Sequence, residues 1–359
     1  MSGGPRILVA ALNWGLGHAA RCLPLVDALR ARGATVLLAS DGAAADLWRA
    51  ERPALPLFEL PPYRITYRHT SLVRSLLPQV PHLVRTVRAE HRRLDELIAT
   101  QGIDAVISDN RYGCYARRVP SVFVTHQLRL RMPRPWPAAP ANRVNHALVR
   151  RFDRCWVPDF PQAPGLAGAL AHGPHLPPAH YLGPLSRLRA VASERPRYRQ
   201  LALLSGPEPQ RTYLEQEIIR QAATLPGPTL IVGGLPGGPT PPDLPGHIAY
   251  RPFLKTRELE RALAAAELVV CRSGYSTLMD LAKLGKRALL VPTPGQTEQE
   301  YLAQQLAANG QAATQTQADL DLAAGLAAAR ASGGLQQAAV DPQWLQTALD
   351  ELYRLIAAC

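Results

Sequence analysis

The sequence has little that would indicate a membrane-spanning, secreted or disordered protein. Its longest apolar runs fall well short of the roughly 20 residues that a membrane-spanning helix needs. The apolar run at residues 7–12 leads into a glycine turn rather than a small-residue cleavage site, so we expect a strand there and not a signal peptide. Because 47% of the residues are apolar and 19% are charged, the composition is that of a globular protein.

The cysteines and histidines do not form a disulfide or metal pattern. The five cysteines are scattered, with no C-x-x-C pair, which fits reduced thiols in a cytoplasm. Neither their spacing nor that of the histidines resembles a zinc site. We therefore expect no metal, no cofactor and a metal-independent mechanism.

The net charge of +12 is concentrated in one stretch. Residues 61–160 contain 17 arginines, no lysine and 7 acidic residues, a local balance of +10. Such a stretch can attract anionic lipid, a pyrophosphate-bearing acceptor or nucleic acid, and a solvated arginine-rich surface is the alternative. No stacking platform of aromatic residues is evident there, so we expect no nucleic-acid partner. Because residues 72–87 mix leucine and valine with arginine, we expect a cytoplasmic protein that associates weakly with the inner membrane face.

Two successive strand-helix series predict an α/β fold with two Rossmann-like domains facing each other across a cleft. The first series has strands at residues 6–12, 34–40, 105–108 and 121–125, and helices at 18–32 and from 42. The second has strands at residues 200–206, 229–234, 248–253, 268–274 and 287–293, and helices at 210–223, 257–266 and up to 284. We predict an N-terminal domain at 1–185, a C-terminal domain at 186–340, and a helix at 341–359 that packs back near the boundary.

The first strand-helix turn is a candidate reaction site. Gly15 and Gly17 let the backbone approach a phosphate or sugar, and Asn110 follows another strand at the sheet edge where ligands bind. His18 begins the helix, where the macrodipole favours a neutral imidazole that can act as a base, and a structural cap is the alternative. The turn lacks the third glycine of the dinucleotide fingerprint, although Asp41 stands where a ribose could bind.

The second glycine turn, V-C-R-S-G-Y-S-T-L-M-D at residues 270–280, is a candidate diphosphate site. Its hydroxyls and helix-start N–H groups can bind phosphate oxygens. Asp280 follows Thr277 by three residues, on one helical face, where it could accept from ribose hydroxyls. An ordinary capped helix is the alternative. The candidate donor-binding residues are Arg272, Ser273, Gly274, Ser276, Thr277 and Asp280.

Three motifs together resemble the GT-B glycosyltransferases. These are G-x-G-H-x-x-R at residues 15–21, R-S-G-x-x-T-x-x-D at 272–280 and P-x-P-G-Q-x-E-Q at 292–299. Within that fold the chain is similar to the family 28 group that includes the N-acetylglucosaminyltransferase of lipid II synthesis. The resemblance covers nearly the whole chain, and its C-terminal motifs are the more specific.

That resemblance implies roles for further residues. The C-terminal domain would bind a nucleotide-sugar donor. Gln299 and Glu300 would face the donor sugar, and Phe253 and Leu254 would contact the uracil. The N-terminal domain would bind an acceptor of unknown identity, with His18 at the reacting groups. His126, in the segment V-T-H-Q, would be a secondary acid/base or acceptor-binding residue.

We therefore expect a glycosyltransferase that moves a sugar from a nucleotide-diphosphate donor, a uridine one by resemblance, to an acceptor hydroxyl. The turn at residues 15–23 also resembles the nucleotide-sugar hydrolase of pseudaminic acid synthesis, so hydrolysis, with His18 activating water, is an alternative. A sugar-nucleotide epimerase is more remote because its cleft carboxylates are not evident. A non-catalytic protein that binds nucleic acid or membrane is the alternative from another class.

Overall fold

The computed structural model describes residues 4–64, 77–132, 138–191, 196–235, 237–241, 243–335 and 341–359. Its internal contacts divide the chain into two compact units. Unit 1 comprises Met1–Arg187 and Val340–Cys359, and unit 2 comprises Leu188–Ala339. The sequence placed the boundaries after residues 185 and 340, and the last helix is part of unit 1.

The described residues form the following elements. The strands are β1 (Arg6–Ala11), β2 (Thr35–Ser40), β3 (Leu57–Glu59), β4 (Ala105–Asp109), β5 (Ser121–Val124), β6 (Arg154–Val157), β7 (His180–Tyr181), β8 (Tyr198–Leu203), β9 (Thr229–Val232), β10 (Ile248–Arg251), β11 (Ala266–Cys271), β12 (Arg287–Leu290) and β13 (Ala313–Thr314). The α-helices are α1 (Gly17–Ala31), α2 (Gly42–Glu51), α3 (Val80–Gln101), α4 (Ala138–Val149), α5 (Gln210–Ala222), α6 (Thr256–Ala264), α7 (Tyr275–Leu284), α8 (Thr297–Ala308), α9 (Leu322–Ala331) and α10 (Pro342–Ala357).

Each unit contains one parallel sheet. Within the described residues, unit 1 has seven strands in the order β3-β2-β1-β4-β5-β6-β7, and unit 2 has six in the order β10-β9-β8-β11-β12-β13. Every paired strand runs parallel to its neighbour, as crossover helices require. The predicted α/β class with two Rossmann-like sheets is confirmed.

The central strands form because they are apolar along their whole length. Residues 7–11 of β1 are fully buried, since helices cover both faces of a parallel sheet. In unit 1 a core cluster joins β1, β2 and β4 to α3, through residues such as Leu8, Leu37, Val106 and Leu94. In unit 2 the corresponding cluster joins the strands to α5 and α9.

The strand order puts a crevice at one point of each sheet. The first strand of each unit pairs with two neighbours, β2 and β4 for β1, and β9 and β11 for β8. Chain connections leave in opposite directions at such a switch point, so ligands bind just beyond the strand ends there. The turns after β1 and β4, and those after β8 and β11, are therefore where site residues should gather.

The last helix is fastened to unit 1 by polar contacts. Arg32 Nη1 donates to Asp350 Oδ1 at 2.6 Å, and Arg154 Nε donates to Glu351 Oε1 at 2.5 Å. The Trp344 carbonyl lies 3.2 Å from His180 Nε2. None of the helices that the structure describes is both long and apolar enough to span a membrane.

Candidate active site

The turn between β1 and α1 places His18 at a helix start. Gly15 has a φ of +76°, in the left-handed region that favours glycine. Leu16 is the N-cap and makes no side-chain capping bond, and Gly17 and His18 are the first two helical residues. The N–H groups at this helix start therefore stay available to a ligand.

His18 is held by a buried carboxylate at the end of β4. Its Nδ1 lies 2.7 Å from Asp109 Oδ1, and the two side chains are 14% and 0% exposed. Because an ionised carboxylate only accepts, Nδ1 carries a proton, and in the neutral ring the lone pair is therefore on Nε2. Asn110, with a φ of +55°, brings its Nδ2 to 3.5 Å from the same ring nitrogen. Asp109 was not singled out from the sequence.

Arg21 binds the same carboxylate from one turn further along α1. Its Nε donates to Asp109 Oδ2 at 2.5 Å and its Nη2 to Oδ1 at 2.6 Å, while Cys22 Sγ lies 3.5 Å from Oδ2. Burial on its own would raise the pKa of Asp109, but Arg21 and His18 outweigh it and hold that pKa well below its usual range. Asp109 is therefore an ionised anchor and not a proton donor.

His126 contacts Arg21 and is 4% exposed. Arg21 Nη1 lies 3.1 Å from His126 Nδ1. A guanidinium can only donate, so this nitrogen accepts and its lone pair is occupied. This contact helps to hold Arg21, and the secondary acid/base or acceptor-binding role that the resemblance implied for His126 stays a prediction.

A second buried ion network lies beside this one. Arg111 pairs with Glu90 through Nε and with Asp41 through Nη1, the latter at 2.7 Å. Tyr63 donates its hydroxyl to Glu90 at 2.8 Å, and Asn13 Nδ2 donates to Asp41 at 3.0 Å. The Asp41 carboxylate, considered as a ribose acceptor from sequence, is thus engaged by Arg111 and Asn13.

In unit 2, the turn from β11 to α7 forms a second helix start. Gly274 is the N-cap and has no side chain to occupy the first N–H groups of the helix. Ser276, Thr277 and Asp280 follow it and are partly exposed. Backbone donors and hydroxyls at a helix N-terminus form a site for an anion.

Two of the predicted donor-binding side chains are occupied within unit 2. Ser273 is fully buried, and its hydroxyl donates to the Gln299 carbonyl at 2.7 Å. Arg272 is 1% exposed and donates only to neutral oxygens among the described residues, namely those of Ser205, Val291, Pro292, Gln210 and Gln317. Burial lowers the pKa of Arg272 to about 10, which still leaves it charged at neutral pH. The Ser273 hydroxyl therefore braces a loop, and its predicted contact with a diphosphate stays a prediction.

Gln299 and Glu300 likewise have partners in their own loop. Gln299 Oε1 accepts from Thr293 N at 2.9 Å, and its Nε2 donates to Gln296 Oε1 at 2.6 Å. Glu300 Oε1 accepts from Gly295 N at 2.9 Å. These bonds shape the turn between β12 and α8, and the predicted contact of both residues with a sugar stays a prediction.

The other donor candidates lie at strand ends of the same sheet. Phe253 and Leu254, between β10 and α6, are partly exposed. Gly206, just after β8, has a φ of +111°, which other residues rarely adopt. The parallel sheet therefore brings the carboxyl ends of β8, β10 and β11 to one edge.

A D-x-D sequence at residues 319–321 was overlooked in the sequence and serves a local purpose. Asp319 Oδ2 accepts from Thr316 Oγ1 at 2.7 Å, and Asp321 Oδ1 caps α9 by accepting from Ala324 N at 3.0 Å. Among the described residues, no group of three or more His, Cys, Asp or Glu side chains could hold a metal ion.

Comparison with known proteins agrees with this architecture. Residues 242–332 match the glycosyltransferase family 28 C-terminal domain. The spinosyn forosaminyltransferase SpnP superposes with a TM-score of 0.62 at 16% identity, covering 98% of this chain and 95% of that one. MurG of Acinetobacter baumannii superposes with a TM-score of 0.54 at 15% identity, with the same coverage. The chain is a glycosyltransferase of the GT-B fold.

Curated relatives of this glycosyltransferase carry related names. A Saccharopolyspora erythraea UDP-N-acetylglucosamine–N-acetylmuramyl-(pentapeptide) pyrophosphoryl-undecaprenol N-acetylglucosamine transferase is 28% identical over 85% of this chain and 80% of its own length. An uncharacterised glycosyltransferase of Methanosarcina acetivorans is 26% identical over 82% and 79%. A transferase of the first name from Desulforudis audaxviator is 44% identical over 70 residues, which span only 19% of this chain and 18% of that relative.

Proposed function

We propose that this glycosyltransferase moves a sugar from a uridine diphosphate sugar to an acceptor hydroxyl without a metal ion. The observation that carries the proposal is the 2.7 Å contact between His18 Nδ1 and the buried Asp109 carboxylate. It prepares an imidazole whose Nε2 can take a proton. Unit 1 would supply this base, and unit 2 would hold the donor.

The chemistry assigned to unit 1 is general base catalysis. As the acceptor oxygen bonds to the anomeric carbon, its proton passes to His18 Nε2, and the bond from that carbon to the diphosphate breaks. Asp109 accepts from Nδ1 and keeps the ring oriented while the imidazolium forms. A positioned base of this kind contributes about 10²- to 10⁴-fold to the rate.

The role assigned to unit 2 is to hold and stabilise the departing diphosphate. The N–H groups at the start of α7 and the hydroxyls of Ser276 and Thr277 would donate to its oxygens. Arg272 adds a buried positive charge whose described partners include no carboxylate. A fixed cation and a helix start can together do what a divalent ion does in other transferases.

The identity of the donor's nucleobase is argued from the names of similar proteins. The Saccharopolyspora erythraea relative is named for a UDP-sugar, whereas two similar structures, the spinosyn rhamnosyltransferase SpnG and the glycosyltransferase VinC, were solved with thymidine diphosphate and dTDP. Phe253 and Leu254 would contact the base. We favour uridine on the names of the sequence relatives.

A binding experiment in EDTA tests the donor site. Calorimetry with UDP, dTDP, GDP and ADP should give micromolar binding of UDP and much weaker binding of the others. Asp280→Asn should weaken UDP binding about tenfold by removing a charged acceptor for the ribose hydroxyls. Asp319→Asn, in the local D-x-D turn, is the matched control. Binding of no nucleoside diphosphate at millimolar concentration would overturn the proposal, and binding only with added Mg²⁺ would overturn its metal-free part.

Hydrolysis of the donor is the second outcome that the same geometry permits. An imidazole oriented by a carboxylate can take a proton from water as readily as from an acceptor hydroxyl. Free sugar released from a UDP-sugar at about 1 s⁻¹ or faster without acceptor would favour the hydrolase. Slow release that a hydroxyl acceptor suppresses would favour the transferase.

We also propose that unit 1 associates weakly with anionic membrane through the start of α3. Val80 and Val84 are 46% and 43% exposed there, and Arg85 and Arg88 are exposed beside them. Residues 72–76 of the predicted amphipathic stretch lie outside the described residues. Arg85→Gln/Arg88→Gln should reduce sedimentation with phosphatidylglycerol vesicles at low salt, because each basic residue contributes about 1 kcal/mol at such a surface. No sedimentation of the unmodified chain would contradict the proposal.

A further inference from the structure

We infer that Arg21 is a positioning residue that keeps His18 unprotonated to lower pH than a histidine-aspartate pair would by itself. The inference rests on the proposed base role of His18. It depends on one arrangement: Arg21 and His18 share the same buried carboxylate oxygen of Asp109.

The contacts leave Asp109 almost fully committed to Arg21. Two guanidinium nitrogens bind its two oxygens at 2.5 and 2.6 Å, and both side chains are nearly fully buried, at 1% and 0% exposure. Such a bidentate pair is close to electrically neutral as a unit. The carboxylate therefore orients His18 strongly while stabilising an added positive charge on its ring only weakly.

The other groups around His18 do not change this balance. Cys22 contributes a thiol at 3.5 Å from Asp109, and burial, followed by Asp109 itself, raises its pKa, so it stays neutral. Asn110 is uncharged. His126 accepts from Arg21 through Nδ1. Arg21 is thus the cation that contacts Asp109 directly.

For catalysis, the consequence is the pH range over which His18 can act as a base. A base must be unprotonated before the reaction and must accept a proton during it. A lone buried carboxylate next to His18 would favour the imidazolium and leave less of the base ready near neutral pH. Arg21 offsets that attraction and so widens the pH range over which the ring can act.

The test is a titration of the histidine ring signals by NMR on the full chain without donor or acceptor. His18→Gln identifies the His18 signal by its loss. In Arg21→Met the protonation midpoint of His18 should rise by about one pH unit or more, since the carboxylate loses its cationic partner. In Arg21→Lys, which keeps the charge, it should stay within a few tenths of a unit. Equal midpoints in Arg21→Met and the unmodified chain would overturn the inference.

A second pair of variants keeps the test decisive if Arg21→Met does not fold, because removing one partner of a buried ion pair is destabilising. Asp109→Asn retains the Arg21 cation, and Asp109→Asn/Arg21→Met removes it. The midpoint should be lower in the single variant than in the double variant, and equal or reversed midpoints would contradict the inference. Because the titration uses no substrate, it is independent of turnover. If the unmodified chain bound no donor, the proposed function would be wrong, and the titration result for His18 would still hold.

Discussion

His18 and Asp109, 91 residues apart in sequence, lie 2.7 Å apart between Nδ1 and Oδ1. They meet because β1 and β4 are neighbours in the sheet and both end at its switch point. The contact decides which ring nitrogen of His18 is free to take a proton. The predictions that follow test this pair and the buried groups around it.

The first prediction concerns catalysis by His18. His18→Ala should lower turnover by about 10²- to 10⁴-fold, because the acceptor loses its general base. UDP affinity, measured by calorimetry, should stay within about twofold, since the proposed donor site is in unit 2. His247→Ala is the control, because His247 lies in unit 2 and its Nε2 is 3.1 Å from the Ala222 carbonyl, away from the proposed donor residues. Full turnover in His18→Ala would remove this residue from the mechanism.

The second prediction concerns the buried Glu90–Arg111 pair. Glu90→Gln should destabilise the protein by about 3–5 kcal/mol, because it leaves a guanidinium buried without its main counter-charge. Chemical unfolding measures this free energy. Glu217→Gln should change it little, since Glu217 pairs with the exposed Arg220 on a helix surface. Similar losses for the two variants would show that burial does not determine the contribution of the Glu90 pair.

The third prediction concerns how the free energy of unfolding depends on pH through Asp109. Because the folded-state pKa of Asp109 is lowered, the stability that it contributes is present above its unfolded value of about 4 and is lost as the pH falls through the folded one. Unfolding free energy should therefore drop more steeply below pH 4 in the unmodified chain than in Asp109→Asn. Parallel curves for the two proteins would contradict the lowered pKa.

The fourth prediction concerns the thiols. Burial raises the pKa of Cys155 and Cys271 to about 12 and that of Cys22 and Cys114 well above the usual value, whereas Cys359 is exposed. Ellman's reagent at pH 8 should therefore react quickly with one thiol of the folded protein and with all five after denaturation. Cys359→Ser should abolish the fast phase, and fast reaction of a second thiol would contradict the buried assignments.

Much of the fold could be predicted from local pattern. Apolar runs that alternate with helical stretches indicated the central strands, and glycine turns marked where β1 and β11 give way to helices. The short edge strands β3, β7 and β13 were missed, since they have only two or three residues and too little periodicity to be recognised. The four-residue strand β6, between β5 and β7, was missed as well. The long helix α3 was seen only as an amphipathic stretch.

The site was predictable in part. The motifs located both helix starts, and the order of the strands implied that they end at sheet edges. Which side chains of those motifs remain open to a ligand was not predictable. Ser273 and Gln299 carry polar groups that suit a nucleotide sugar, yet each has a partner within its own loop.

The sequence by itself determined the parallel α/β class and the two glycine turns, because periodicity and backbone freedom are local properties of the chain. Only the tertiary structure decided the partners of His18. Asp109, Arg21 and His126 lie on separate elements, and their contacts arise from strand order and burial, which no local pattern encodes. A carboxylate becomes a lasting anchor only when the fold removes it from water and places a cation against it.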